Sequence, residues 1–418
     1  MIGAHSVNFA GYDLSCYVDT VDINHGRDDT TNQPDASSAT ITLDLEDFPL
    51  PDYVEVGGSV TVSTMFDSWA STRFVGRITD IALGWDDAGE DTPNAGIGQI
   101  VATGILSEIG RRVVGDAPFP QELDGARVTR VMNLANISLD PLYSDPGTVE
   151  ILPRDIDATD ALSVASEAAT SGMGVLWQTK DGEVRYADAQ HRKNIPASIV
   201  LDACDVLVTP TWSRTIQGLI NKVSLGWGVA AEGASDQPRV YAQDDDSIFN
   251  FGVYDFSVST VIANEDDAKA QALFLVTLNS RPVWIMTDLP VDMAGLDLAQ
   301  TQAVLDLDMH ALVILTGLPV IAQHGDTTAN LWVEGWQEHL EAGVHELTLT
   351  VSGYCRTAPP PTWDEMQPAQ TWDSMGEITW NDIACLGPPL PIGRWADVPA
   401  SYRWDLVPPS GTWDTWKW

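Results

Sequence analysis

Residues 157–188 read DATDALSVASEAATSGMGVLWQTKDGEVRYAD and spell out one complete supersecondary unit. Asp157 is expected to cap a helix, with Asp160 three residues on, because carboxylates there meet unpaired N–H groups and the positive end of the helix dipole. Ala158, Ala161, Leu162, Ala165, Ala168 and Ala169 then fall on one face at helical spacing, small enough to lie close on a sheet. Gly172 and Gly174 end the helix. Residues 175–179 and 184–187 are β-rich runs joined by Lys180-Asp181-Gly182-Glu183, whose Asp-Gly supplies the positive-φ positions of a tight hairpin. The unit is helix, strand, turn, strand.

Working outward, residues 7–24 and 39–45 predict two strands separated by an exposed polar loop, 26–38. Runs at 54–65, 73–85 and 99–106 continue the pattern. About five strands without a helix in a hundred residues predict a small antiparallel barrel or sandwich. Within RFVGRITDIALGW, Gly76 interrupts a strong strand, where glycine allows a bulge or a close backbone approach. Late in the chain, WVEGWQEHLEAGVHELTLTVSGY places Gly335 the same way, and Leu340 stands five residues beyond it as Ile81 stands beyond Gly76. This is a faint internal repeat. Between the halves, Leu219-Ile220-Asn221-Lys222-Val223 opens a strand, and an irregular acidic stretch follows at 229–247. In NEDDAKAQALFLV, Asn264 caps a helix with Ala268, Ala272, Leu275 and Val276 on its inner face. Residues 278–286, with Ser280-Arg281-Pro282, and the apolar 305–321 are expected to be strands.

With 60 acidic against 21 basic residues, the chain carries a formal charge of -39, which disfavours nucleic-acid and anionic-membrane binding. The longest apolar run, 311–315, is too short to cross a bilayer, and the first residues carry no export signal. Cys16, Cys204, Cys355 and Cys385 show no metal-ligand spacing and are expected to be reduced core thiols. The His residues are dispersed, with no HExxH, GxSxG or Walker sequence, so no residue is assigned as catalytic, cofactor-binding or metal-binding. Asp244-Asp245-Asp246 is expected to be a solvated loop, Glu265-Asp266-Asp267 the first turn of a helix, and Asp86, Asp87, Glu90 and Asp91 surface charge.

The last 62 residues hold 8 of the 16 Trp and 10 of the 25 Pro, so they do not continue the β pattern. A motif recurs there as TWDEM, TWDSM, TWNDI, RWADV, RWDLV and TWDTW. Such a segment has too little mass to bury its own indoles, each worth on the order of 150–250 Å² when docked. Trp363, Trp372, Trp380, Trp395, Trp404, Trp413, Trp416 and Trp418 are therefore expected to bind a partner, as pegs at a protein interface or as an aromatic array stacked on cell-wall sugars.

Taken in order, the capped Ala helix with its Asp-Gly hairpin ending in Tyr186 and Asp188, the entry strand at 219–227, and the helix leading to Ser280-x-Pro282 resemble the hub and minor tail proteins at the tail tip of siphovirus-like phages. The resemblance spans about 350 residues. It implies a mainly β chain with a smaller α/β part: a first antiparallel β-barrel at 1–115, an inserted α/β domain at 116–200, a second barrel at 201–356 and a Trp/Pro-rich arm at 357–418. It further implies a homotrimer, without enzymatic activity, made in the host bacterial cytoplasm and placed at the virion's tail tip. There it would close the tail tube and contact the distal tail protein, the tape-measure protein and tail fibre or receptor-binding proteins during host attachment and genome ejection. DNA would pass along it without specific binding, and no stable membrane insertion is implied. A distal tail ring or fibre-attachment protein would show the same pattern. The alternative is a carbohydrate-binding or hydrolytic adhesin of the cell wall, built on the Trp repeats.

Overall fold

The computed structural model describes residues 4–28, 30–45, 50–66, 69–84, 96–155, 158–193, 195–203, 211–230, 236–318 and 328–353. Asp157, the acidic loop at 86–95, Cys204, Cys355, Cys385 and all eight Trp of the C-terminal repeat lie outside them.

In the first part of the chain the strands are β1 (Ala4–Phe9), β2 (Tyr12–Asp13), β3 (Val18–Gly26), β4 (Ser38–Asp44), β5 (Ser59–Phe66), β6 (Trp69–Gly84) and β7 (Ile97–Thr103). The run at 7–24 is thus not one strand. It turns at Ala10 and Gly11, both at positive φ, and β1 closes back on β2. Strict alternation sets the inner face: in β4 Ala39, Ile41 and Leu43 are buried while their neighbours are not. They meet Val7, Phe9, Val60, Phe74 and Ile100 in one core. The run at 99–106 ends sooner than expected, because Gly104 starts the short helix α1 (Ile105–Ile109).

The middle part comprises α2 (Asp124–Leu134), β8 (Leu139–Ser144), α3 (Ala161–Ser171), β9 (Val175–Gln178) and β10 (Val184–Ala187). The cap of α3 is Asp160, whose carboxylate accepts from Ser163 N at 2.8 Å, and Ala158 stands before the helix at positive φ. Gly172 closes α3, Gly182 takes φ +85° in the hairpin, and β9 pairs with β10 as expected. The α3 alanines pack against α2, which the sequence reading did not anticipate. Tyr186 explains part of this order. Its hydroxyl donates to Asp124, a fully buried carboxylate that also accepts from Thr148 N at 2.8 Å and Val149 N at 2.9 Å. Tyr186→Phe leaves Asp124 one donor short and is expected to cost about 1–3 kcal/mol in urea unfolding.

The last part holds β11 (Ile199–Asp202), β12 (Lys222–Gly226), β13 (Arg239–Gln243), α4 (Asp245–Phe251), β14 (Asp255–Ser259), α5 (Glu265–Asn279), β15 (Asp288–Val291), α6 (Leu298–Leu305), β16 (Leu312–Thr316), β17 (Ala329–Glu341) and β18 (Val344–Gly353). Asn264 caps α5 through Asp266 N, and Ala268, Ala272 and Val276 are buried against β12 and β13, as expected. Several expectations are corrected here. Residues 278 and 279 finish α5 rather than begin a strand, and 305 ends α6, which starts at a capping box formed by Asp297 and Gln300. The stretch at 229–247 includes β13, and Asp244 is not a solvated loop residue but caps α4 by accepting from Ser247 N. Cys16 is exposed rather than a core thiol.

One 12-stranded sheet joins strands from residues 4–103 with strands from residues 199–353 in the order β11-β16-β17-β3-β4-β7-β6-β5-β1-β2, with β18 also on β17 and β15 on β18. The fold is mainly antiparallel β with a smaller α/β part, as the sequence implies. The seam is β3 against β17, where Gly26 faces Gly335. A Cβ on either glycine would strike the backbone of the other strand, and a Cβ on Gly76 would strike the Phe74 ring and Thr103 O. Both repeat glycines therefore mark close approaches. β17 serves two cores: Leu340 packs with the first, and Leu331, Val333 and Trp336 pack with Leu289, Val313 and Leu349 in a second.

Candidate functional site

Glu334, at the irregularity where the pairing of β17 with β18 shifts register, and Glu338, four residues on, are both buried. A buried carboxylate persists only with donors around it. Arg27, just past β3, gives Glu334 two hydrogen bonds, from Nε at 3.0 Å and Nη2 at 2.8 Å. Arg192, which follows the inserted hairpin, gives two more from Nη1 at 2.8 Å and Nη2 at 2.9 Å. Ser352 of β18 donates to the same carboxylate. Burial alone would raise the Glu334 pKa, but the two guanidiniums hold it down at about 2. Arg192 also lies over the Trp332 ring at 5.1 Å and donates from Nε to His310 Nδ1 at 2.6 Å.

A second knot repeats the plan. Arg73 of β6 donates from Nε to both oxygens of Glu338, at 3.0 and 2.9 Å, and His345 Nε2 stands 2.6 Å from Glu338 Oε1. Arg73 Nη1 and Lys180 Nζ each reach Leu305 O at 2.5 Å. Two cations thus sit on the last carbonyl of α6, where the helix dipole favours them. Lys180 comes from the Lys-Asp-Gly-Glu turn. Each knot therefore draws one charged side chain from the first β part, one from the inserted α/β part and one from β17. Gln33 and Gln178 add neutral ties: Gln33 donates to Gly174 O and accepts from Leu176 N, and Gln178 donates to Val75 O.

These residues were not singled out from the sequence, although a signal was present. In a chain with only 21 cationic residues, Arg73 inside an apolar strand and two glutamates spaced four apart in WVEGWQEHLE are charges at inward positions. The residues that were singled out fall elsewhere. The Trp repeat lies outside the described residues, and the Asp244 and Glu265 clusters are helix starts. Among the described residues no group of His, Cys, Asp and Glu is arranged to hold a metal ion. No helix among them is long and apolar enough to cross a membrane.

His25 lies between the knots, stacked on Trp336 with ring centroids 4.0 Å apart and Nδ1 2.7 Å from Ser37 Oγ. Burial, aided by the nearby Arg73 charge and opposed by Glu338, lowers its pKa to about 3. The native state then excludes a proton that the unfolded chain takes up below its ordinary pKa near 6.5. The stability His25 contributes is complete above that value and is lost as the pH falls toward 3. Asp308, raised by burial to about 6, acts in the opposite sense. The informative quantity is the difference between wild type and His25→Gln. The wild type is expected to lose about 2 kcal/mol more than the variant between pH 7 and pH 5 in chemical denaturation.

No protein-family model and no curated protein sequence matches the chain. Solved structures do. The 43 kDa tail protein of prophage MuSo2 from Shewanella oneidensis superposes with a TM-score of 0.58 at 11% identity, covering 86% of this chain and 99% of that one. The tail protein from Neisseria meningitidis MC58 gives 0.57 at 12% identity, covering 86% and 100%. Prophage tail protein gp18 from Listeria monocytogenes EGD-e gives 0.51 at 11% identity, covering 83% and 94%. In its fold, the chain is similar to these phage tail proteins.

Proposed function

We propose that this chain is a structural component of a phage tail tip, a hub of three copies that closes the tail tube and anchors neighbouring tail proteins. The observation that carries the reading is the fold match, which takes in nearly the whole length of prophage tail proteins rather than one shared barrel. The ionic knots fit a mechanical role. Charges drawn from three parts of the chain resist shear between those parts in a way that a smooth apolar contact does not, because each guanidinium has few geometries in which it stays paired. The boundaries 1–115, 116–200, 201–356 and 357–418 remain our division of the chain into first barrel, α/β insertion, second barrel and arm. On this reading the distal tail protein and tape-measure protein meet the barrels, and the Trp side chains of the arm are pegs for a fibre or receptor-binding protein.

Light scattering on the purified full chain tests the assembly. The expected mass is three times the 45.3 kDa of one chain, retained when residues 357–418 are deleted. A monomer that binds cell-wall glycan only while those residues are present would overturn the hub reading in favour of the adhesin.

A further inference from the structure

On the outer face of the seam between β3 and β17, alternation leaves a polar surface. Asp22 and Asn24 of β3, Gln337 and Glu341 of β17 and Glu346 of β18 are exposed, while their strand neighbours Ile23, Leu340 and Leu347 are buried. His339 sits in the middle of this surface. Its register partners are Asp22 on one side and Glu346 on the other. Its Nδ1 lies 2.6 Å from Asp22 Oδ1, and its Nε2 lies 4.0 Å from Glu341 Oε2. One imidazole thus stands among three carboxylates supplied by three adjacent strands.

An open depression of about 330 Å³ lies here, and none of the described residues around it is Lys or Arg. Glu338 also borders it, but its carboxylate is already paired with Arg73 and His345. Ser38 and Thr40 of β4, with Asn24, Gln337 and Thr348, are uncharged. Like charges facing each other across strands destabilise a sheet, and opposite charges support it. The charge on His339 decides which of the two applies at the seam.

From the register, the contact with Asp22 and the uncharged surroundings, we propose that the outer face of the seam is a pH-sensitive clasp. Charged His339 ties β3 and β18 to β17, and its deprotonation leaves Asp22, Glu341 and Glu346 to repel one another across the same strands. The hydrogen bond to Asp22, opposed by partial burial and helped by the charges of Asp22, Glu346 and Glu341, raises the His339 pKa above its ordinary 6.5. The folded chain therefore holds this proton more tightly than the unfolded one. The stability His339 contributes is complete below about 6.5 and is lost as the pH rises through the raised value. His25, buried on the same strand pair and stacked on Trp336, works in the opposite sense, losing its contribution as the pH falls. Together the two histidines make the seam firmest near the ordinary imidazole value and looser on either side. The inference is independent of the tail assignment.

Urea unfolding of the full chain at about pH 6.5 and about pH 8.5 tests it, with His339→Gln as an uncharged side chain that still donates to Asp22. The expected result is a folding constant that falls about two- to five-fold more in the wild type than in the variant, the scale of a partly exposed ion pair. Groups common to both chains cancel. NMR of histidine-labelled protein assigns the effect: the ring signal missing from His339→Gln should titrate above 6.5 in the wild type, and Asp22→Asn should move it down. Hydrogen exchange, corrected for intrinsic rates, should place the loss of protection at the higher pH in residues 18–26 and 335–341. A His339 signal that titrates at or below 6.5, an equal loss of stability in the wild type and His339→Gln, or a loss of protection spread evenly over the sheet would overturn the clasp.

Discussion

Glu334→Ala is expected to destabilise the chain by about 3–5 kcal/mol, because it strands two buried guanidiniums, Arg27 and Arg192, that no other carboxylate in the knot can neutralise. Removing one partner of a buried ion cluster costs far more than removing all of it. The matching control is the triple replacement Arg27→Met, Arg192→Leu, Glu334→Leu, which exchanges the cluster for apolar side chains and is expected to restore most of the loss. Equilibrium unfolding of the wild type and both variants checks this. A single variant as stable as the wild type would show that the cluster is wet and loosely paired. The contrast also tests what the charges are for: a restored stability with a lost assembly would assign the knot to geometry rather than to stability.

Gly26→Ala comes next in size. Gly26 sits at φ +91° against Gly335, and an added Cβ meets Glu334 O and the Gly335 Cα. The conformation itself costs an L-residue about 1–2 kcal/mol, and forcing backbone apart costs roughly 1–3 more. The expected total, about 3 kcal/mol, falls on the seam that joins β3 to β17. Thermal unfolding should show it directly, and Gly343→Ala is the control. Gly343 also has positive φ but nothing near its Cβ, so only the conformational part should appear.

What was legible in the sequence is what local physics writes there. The α3 helix, the Asp-Gly hairpin, the Asn264 cap and the two strand glycines each depend on residues within a few positions of one another. The hydrophobic period of two placed most strands of the first core for the same reason. Four helices escaped, α1, α2, α4 and α6. α2 begins Asp-Gly, which looks like a turn until the Asp124 carboxylate is seen buried beneath Tyr186. α6 runs into the apolar stretch at 305–321 that was expected to be a strand, and its capping box was the signal passed over. The ionic knots were out of reach in detail, because Arg27 and Glu334 stand 307 residues apart and Arg73 and Glu338 stand 265 apart. Only their place within apolar stretches was visible. The joining of residues 4–103 and 199–353 into one sheet is the same kind of fact, set by the long-range pairing of Gly26 with Gly335.

The most direct test of the central claim is immunogold labelling of phage particles that carry this chain, viewed by electron microscopy. The tail-tip hub reading predicts label confined to the end of the tail away from the capsid. Label along the tube, at the capsid, or absent from intact particles would contradict it.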